Sequence, residues 1–138
     1  MKKIVLSVAI LVIVTGLFLL FQNRGAEYDG EITVIVHNGS EMVSQKTLLF
    51  SEGDTLLTII KEHYDLVCAN ASYKPSDECR NLLFGSPVVL EIDDIKTNWT
   101  DNYFAIYVNG TYSNLGIDII PFKDGDIIRF EVQEVGDE

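Results

Sequence analysis

Basic residues are scarce in this chain and unevenly placed. Three of the ten lysines and arginines lie in the first 24 positions, which leaves Lys46, Lys61, Lys74, Arg80, Lys96, Lys123 and Arg129 against all 21 acidic residues. The net of −14 beyond Arg24 repels phosphate backbones and anionic headgroups, and no basic stripe offsets it, which argues against nucleic acid as a partner. Solubility of an exported surface accounts for the acidity without any specific acidic function. Cysteine is scarcer still, with Cys68 and Cys79 alone. A cysteine-rich scaffold is excluded, and so is a lipid-modified cysteine, because none follows the first apolar run. Catalytic signatures are missing as well: there is no Gly-x-Ser-x-Gly elbow, no His-Glu-x-x-His helix and no phosphate-cradling glycine loop. The expectation is a protein that is not an enzyme and carries no cofactor.

What is present begins with a long apolar run. Lys2 and Lys3 precede 18 uncharged residues from Ile4 to Phe21, interrupted only by Ser7, Thr15 and Gly16. At about 1.5 Å per residue a helix of that length covers roughly 27 Å, close to the hydrocarbon thickness of a bilayer. A cleaved secretory signal shares the positive start, but its apolar core is shorter and ends in small residues, whereas this run exits through Gln22-Asn23-Arg24-Gly25-Ala26. An uncleaved anchor over residues 1–24 is favoured, with membrane contact through residues 4–21, and the cleaved form remains the alternative. Either route sends the C-terminal part outward, because Lys2 and Lys3 outnumber Arg24. The expected organisation is anchor, a spacer at 25–30, one domain at 31–134 and an acidic tail at 135–138. The expected location is the cell membrane, single-pass, with the domain extracytoplasmic.

In that compartment Cys68 and Cys79 could close a loop of about 12 residues, an arrangement with roughly 3 kcal/mol of chain-entropy benefit before strain. A disulfide is favoured over two free thiols. Metal binding is least favoured, since His37 and His63 have no ligand spacing to the cysteines.

The domain opens with Glu31 to His37, whose Ile32, Val34 and Val36 alternate onto one face of a strand. Asn38-Gly39 reads as a hairpin turn and Lys46 to Phe50 as the second strand. Asp54 fits an N-cap, and Leu56, Leu57, Ile59, Ile60 and Tyr64 recur at helical spacing. Val88–Ile92, Tyr103–Val108 and Ile127–Val132 read as three further strands, the helix returning the chain to a single sheet. Asn109-Gly110 and Asp124-Gly125-Asp126 supply the positive φ that tight turns need. One helix across a mixed sheet gives an α+β, β-grasp (ubiquitin-like) expectation, preceded by the transmembrane helix.

The stretch Val108-Asn109-Gly110, then Lys123-Asp124-Gly125-Asp126 and a last strand, looks like the closing half of β-grasp domains. The chain also resembles, over about residues 30–134, the family of exported domains of unknown function related to the C-terminal domain of transcobalamin and intrinsic factor. Glu52-Gly53-Asp54-Thr55-Leu56-Leu57 matches that family's entry to its helix. Tyr103-Phe104 stands where the family usually has tyrosine-tryptophan. The resemblance implies a soluble-ligand-binding module, in which the related transcobalamin domain closes over a corrinoid held mainly by a separate helical barrel. Together with the style of anchor, it suggests a Gram-positive bacterium. Other β-grasp chemistries fail here: the chain ends Val135-Gly136-Asp137-Glu138 rather than Gly-Gly, and it has half the cysteines a plant-type ferredoxin needs.

Aromatics carry the remaining clue. Trp99, Tyr103, Phe104, Tyr107 and Tyr112 crowd within 14 positions, with Tyr103 and Tyr107 on one face of their strand and Phe104 and Ile106 on the other. Two readings stand side by side. The rings complete the core, or they form an exposed platform for a planar or sugar-like small molecule or a membrane-protein partner. Asp93-Asp94 point to opposite faces of an extended chain, which spoils paired acid-base work, and Asp118, Asp124 and Asp126 lack the ligand pattern of a calcium loop. Asn38-Gly39-Ser40, Asn70-Ala71-Ser72, Asn98-Trp99-Thr100 and Asn109-Gly110-Thr111 fit the glycosylation pattern, but turn chemistry explains them better.

Overall fold

The computed structural model describes residues 7–14, 25–70, 72, 74–80 and 85–136. Residues 7–14 are helical, and the rest of the expected span lies outside the described residues. Among the described residues no helix is long and apolar enough to cross a membrane.

The fold is mixed α+β. Among the described residues nine strands run in chain order, β1 (Gly30–Asn38), β2 (Glu41–Phe50), β3 (Leu66–Ala69), β4 (Pro75–Ser76), β5 (Val89–Ile92), β6 (Ile95–Lys96), β7 (Asn102–Val108), β8 (Thr111–Ser113) and β9 (Ile127–Glu134), with helix α1 (Leu56–His63) between β2 and β3. They form a five-stranded sheet in the order β2-β1-β9-β7-β8 and a four-stranded sheet in the order β4-β3-β5-β6. The large sheet is mixed because β9 returns parallel to β1 and antiparallel to β7.

Period-two alternation decides which face is dry. Ile32, Val34 and Val36 of β1 and Ile128 and Phe130 of β9 are at most 1% exposed, while their odd-numbered neighbours point away from the core. Helix α1 covers that face with Leu56, Ile59 and Ile60, and Leu66, Cys68, Val89 and Ile92 of the second sheet join the same cluster. Side chains of this size, fully buried, each contribute about 1.5–3 kcal/mol.

The single-sheet expectation is corrected here. The chain leaves α1 through extended Tyr64 into β3, which pairs antiparallel with β5, so residues 89–92 build a separate sheet. The cap is also shifted by one residue. Thr55 is the N-cap, its side chain accepting from Thr58 N while Thr58 Oγ1 accepts from Thr55 N, whereas Asp54 Oδ2 turns back to accept from Ser51 N at 2.9 Å. At the other end Lys46 Nζ donates to His63 O at 2.9 Å and lies 4.1 Å from the centre of the Tyr64 ring. That ring is buried, and burial raises the Tyr64 pKa, with Asp93 adding to the effect against a weak Ser44 contact. Within residues 25–30 Ala26 is 6% exposed, donates to Asp54 O and accepts from Gly53 N, both at 2.8 Å, while Tyr28 is exposed. Cys68 and Cys79 are joined in a disulfide with Cα atoms 5.1 Å apart, tying β3 to the segment after β4.

Candidate functional site

Two turns 17 residues apart hold the site's strand in place. Asn109, at φ +50°, donates through Nδ2 to Asp126 Oδ1 and accepts at Oδ1 from Ile127 N, each at 2.9 Å, while its own N–H reaches Ile127 O at 2.8 Å. Asp126 is 5% exposed and also accepts from Lys123 N and Nζ. Burial pushes its pKa up, but the hydrogen bonds from Asn109 and Lys123 and the Lys123 charge outweigh it and hold the carboxyl below its ordinary value. Asp124 Oδ1 meanwhile accepts from Glu31 N. These aspartates therefore weld β1, β7 and β9 together. No group of acidic, histidine or cysteine side chains among the described residues is arranged to hold a metal ion.

The strand so fixed borders a cleft of about 420 Å³. Among the described residues β8 pairs with Ile106, Tyr107 and Val108, short of the N-terminal half of β7. Tyr103 to Ile106 form one wall, Pro87–Val89 and Leu115–Ile117 the other, and Trp99 and Tyr112 stand at the mouth. Gly116 lets the far wall close up: a Cβ there would sit 2.0 Å from Ser86 Cβ.

Trp99 is held out by its loop. Asn98 Oδ1 accepts from the N–H groups of Thr100, Asp101 and Asn102, and Asn98 Nδ2 donates to Asp101. The Trp99 backbone sits at φ +68°, an uncommon state for a bulky residue, and its side chain is 49% exposed with the ring 6.2 Å from Tyr103 in an edge-to-face pair. The exposed tryptophan thus sits in a left-handed backbone state on a loop braced by the Asn98 side chain.

Of the five aromatics singled out from sequence, Trp99, Tyr103, Phe104 and Tyr112 line this cleft and Tyr107 does not. Tyr107 lies on the sheet's outer face, packed edge-on to Tyr112 at 5.8 Å and beneath the Arg129 guanidinium at 4.2 Å. There Gln133 links the Tyr103 and Tyr107 hydroxyls, and Arg129 Nε approaches Glu131 Oε2 at 3.0 Å without the alignment of a hydrogen bond. Sequence reasoning missed Arg129, Glu131 and Gln133, although their alternation with Ile128, Phe130 and Val132 marks them as the outward half of β9. It also missed the far wall, which arrives from residues remote in sequence.

The chain belongs to the family described as "Domain of unknown function (DUF4430)", whose model matches residues 53–134, more than half of the chain. No curated protein matches it. Among solved structures it is similar to haptocorrin in complex with Cbi, at 11% identity and TM-score 0.57 over 78% of this chain. It spans only 26% of that haptocorrin chain. It is also similar to a protein from Ruminococcus gnavus to which metal binding is ascribed, at 18% identity and TM-score 0.55, covering 76% of this chain and 97% of that one. Likeness at such identities shows the fold alone.

Proposed function

We propose that this protein is a membrane-anchored, extracytoplasmic β-grasp module that binds a small molecule in the cleft beside β7 and performs no chemistry on it. The observation that carries the reading is the convergence of Trp99, Tyr103, Phe104 and Tyr112 on one concavity whose described lining includes no carboxylate, imidazole, amine or guanidinium. Aromatic faces with a few hydroxyl and amide groups at the rim suit a planar or sugar-like ligand, corrinoid-like compounds included. The β-grasp assignment draws on the strand order, in which the last strand lies parallel to the first between the two hairpins. A haptocorrin structure that holds Cbi lends the ligand reading further support. Since this chain spans a quarter of that protein, its binding alone is expected to be weak, as an accessory to uptake or to a surface complex.

The test is thermal stabilisation of the full chain in mild detergent by corrinoids, haem and cell-wall sugars. A ligand that binds only the folded state stabilises it by about 2.7 kcal/mol at a hundredfold excess over Kd. A saturable rise in Tm that disappears in Trp99→Ala and Tyr112→Ala supports the reading; no rise at millimolar ligand overturns it. The rival reading, a protein-interaction domain, is favoured by the outer face, where Gln45, Ile35, Arg129, Tyr107 and Tyr112 form one register row across all five strands.

A further inference from the structure

A second cavity, of about 680 Å³, lies where the chain enters the domain. Gly25 to Tyr28 form one wall. Phe50 and Ile120, 5% and 2% exposed, lie at its base, with Phe122 set edge-on to Phe50 at 5.0 Å. Leu115 and Ile119 line both this cavity and the aromatic cleft, so the two open on either side of one chain segment. The lining also reaches solvent with large apolar groups, Tyr28 being 78% exposed and Leu115 43%. Apolar side chains gathered around a concavity of this size are the usual mark of a binding site.

Chain length limits how far this cavity can stand from the membrane. Phe21 ends the apolar run and Gly25 lines the cavity, four residues on. Four residues reach at most about 14 Å when fully extended, and headgroups occupy about 5–7 Å beyond the hydrocarbon on each side of a bilayer. The Gly25 wall of an anchored chain therefore lies within or just above the headgroup layer. That wall belongs to the domain body: Ala26 exchanges hydrogen bonds with Asp54 O and Gly53 N, and a Cβ on Gly25 would sit 2.2 Å from Gly53 O. Glu27, Lys123 and Asp124 are the charged residues of the described lining, and two are engaged. Lys123 Nζ donates to Asp126 Oδ1 at 3.0 Å, and Asp124 Oδ1 accepts from Glu31 N at 2.9 Å. Two carboxylates against one ammonium, on an acidic domain, repel an anionic ligand.

We infer that this cavity takes up the acyl chain of a phospholipid from the bilayer in which the protein is anchored, one whose headgroup carries no net charge. The chain passes from one apolar medium to another, so it gives up little, while Leu115 and the cavity lining are withdrawn from water. Tyr28 then stands at headgroup level, where an aromatic body and a wet hydroxyl both find their medium. The inference rests on the anchored reading of residues 4–21 and adds a second site, filled from the membrane and not from solution. It also orients the domain. Gly30 abuts Phe50 and Asp124 of the lining, and β1 carries the chain from there to Gly39, about 30 Å away at about 3.3 Å per residue.

The test places the full chain, ¹⁵N-labelled, in phosphatidylcholine nanodiscs that contain a little phosphatidylcholine carrying a nitroxide, either near the end of one acyl chain or on the headgroup. The tail label is expected to broaden the amide signals of Ile119, Ile120 and Phe122 beyond detection, and more strongly than the headgroup label, while Gly39 keeps its signal with both. Tyr28→Asp, which sets a charge in the lining at an exposed position, should restore the three signals in the presence of the tail label and leave the rest of the spectrum in place. A headgroup label that broadens those signals more than the tail label means that the domain only rests on the surface, and overturns the inference. Broadening by the tail label confined to Tyr103 and Ala105 puts the chain in the aromatic cleft, and overturns it too. A chain that floats with phosphatidylcholine vesicles but shows no tail-label effect loses this inference alone; a chain that does not float with them loses the anchor as well.

Discussion

Replacing Asn109 by alanine removes the joint between β7 and β9 at three points at once. Alanine at φ +50° incurs left-handed strain of about 1–2 kcal/mol. Ile127 N loses its acceptor, a neutral hydrogen bond worth about 1 kcal/mol net. Asp126 Oδ1 loses a donor at 2.9 Å in a nearly buried site, where a charge-assisted bond is worth about 1.5–3 kcal/mol, reduced here because Lys123 N and Nζ still donate to the carboxylate. Together these come to about 3–4 kcal/mol, which for a domain of this size lowers Tm by about 15 °C or more. Thermal unfolding of the full chain in detergent measures it, and two companions separate the causes. Asn109→Gly relieves the strain but not the lost bonds, so it should recover about 1 kcal/mol of the deficit. Asn109→Asp tolerates the backbone but sets a carboxylate against Asp126, so its deficit should be large at neutral pH and shrink on acidification. An alanine variant within about 4 °C of the parent, or an aspartate variant indifferent to pH, would refute the argument that these side chains join the two strands.

Asp126, whose folded pKa lies below its unfolded value of about 3.9, contributes stability that is fully present above that value and lost as pH falls through the folded one. The acid limb of a stability-versus-pH curve should therefore flatten in Asp126→Asn, and an unchanged limb counts against the assignment. Changing Cys68 and Cys79 together to alanine should lower the denaturant midpoint by the equivalent of about 3 kcal/mol, since the bridge closes a short loop and Cys68 is fully buried. Gly116→Ala forces a methyl into Ser86 and should cost about 1–3 kcal/mol, with recovery on adding Ser86→Gly; a loss that Ser86→Gly does not relieve places the strain elsewhere. Thr55→Ala, which dismantles the capping box of α1, should cost about 1 kcal/mol, whereas Asp54→Ala leaves that box intact and tests only the Ser51 contact.

The readable parts of this fold were those whose physics is local. Alternation in β1 and β9, the apolar recurrence in α1 and the left-handed Asn109-Gly110 all act within a few residues. Sequence did not reveal β3 and β8, because four and three residues display no period and neither segment has the β-branched apolar run that marked the equally short β5. The split into two sheets was hidden for the same reason: it depends on β3 capturing β5, a pairing that no residue of β5 announces. Asp54 and Thr55 are both good N-caps, and what separates them is Ser51 N, a contact made only after the preceding turn has closed. The aromatic half of the cleft was legible because Trp99 to Tyr112 are close in sequence. Its opposite wall was not, since Ser86–Val89 and Leu115–Ile117 meet β7 only through the tertiary fold.

β7 links these results, because three directions around one strand serve three purposes. Phe104 and Ile106 point into the core, Tyr103 and Tyr107 point outward to Gln133 and Arg129, and the edge between those faces borders the cleft. The turn motif at Asn109 fixes the strand's far end and is not part of the cleft's described lining, so the residues most recognisable in sequence are those that hold the fold. Substitutions in the Asn109 and Asp126 joint should therefore weaken binding only in proportion to the population they unfold. Substitutions at Trp99 or Tyr112, each about half exposed, should weaken binding with little change in Tm. A binding defect that tracks stability across both groups would mean that the cleft is merely packing left unfinished; the geometry of the Trp99 loop, strained and tied by four hydrogen bonds to the Asn98 side chain, three accepted and one donated, argues for the opposite result.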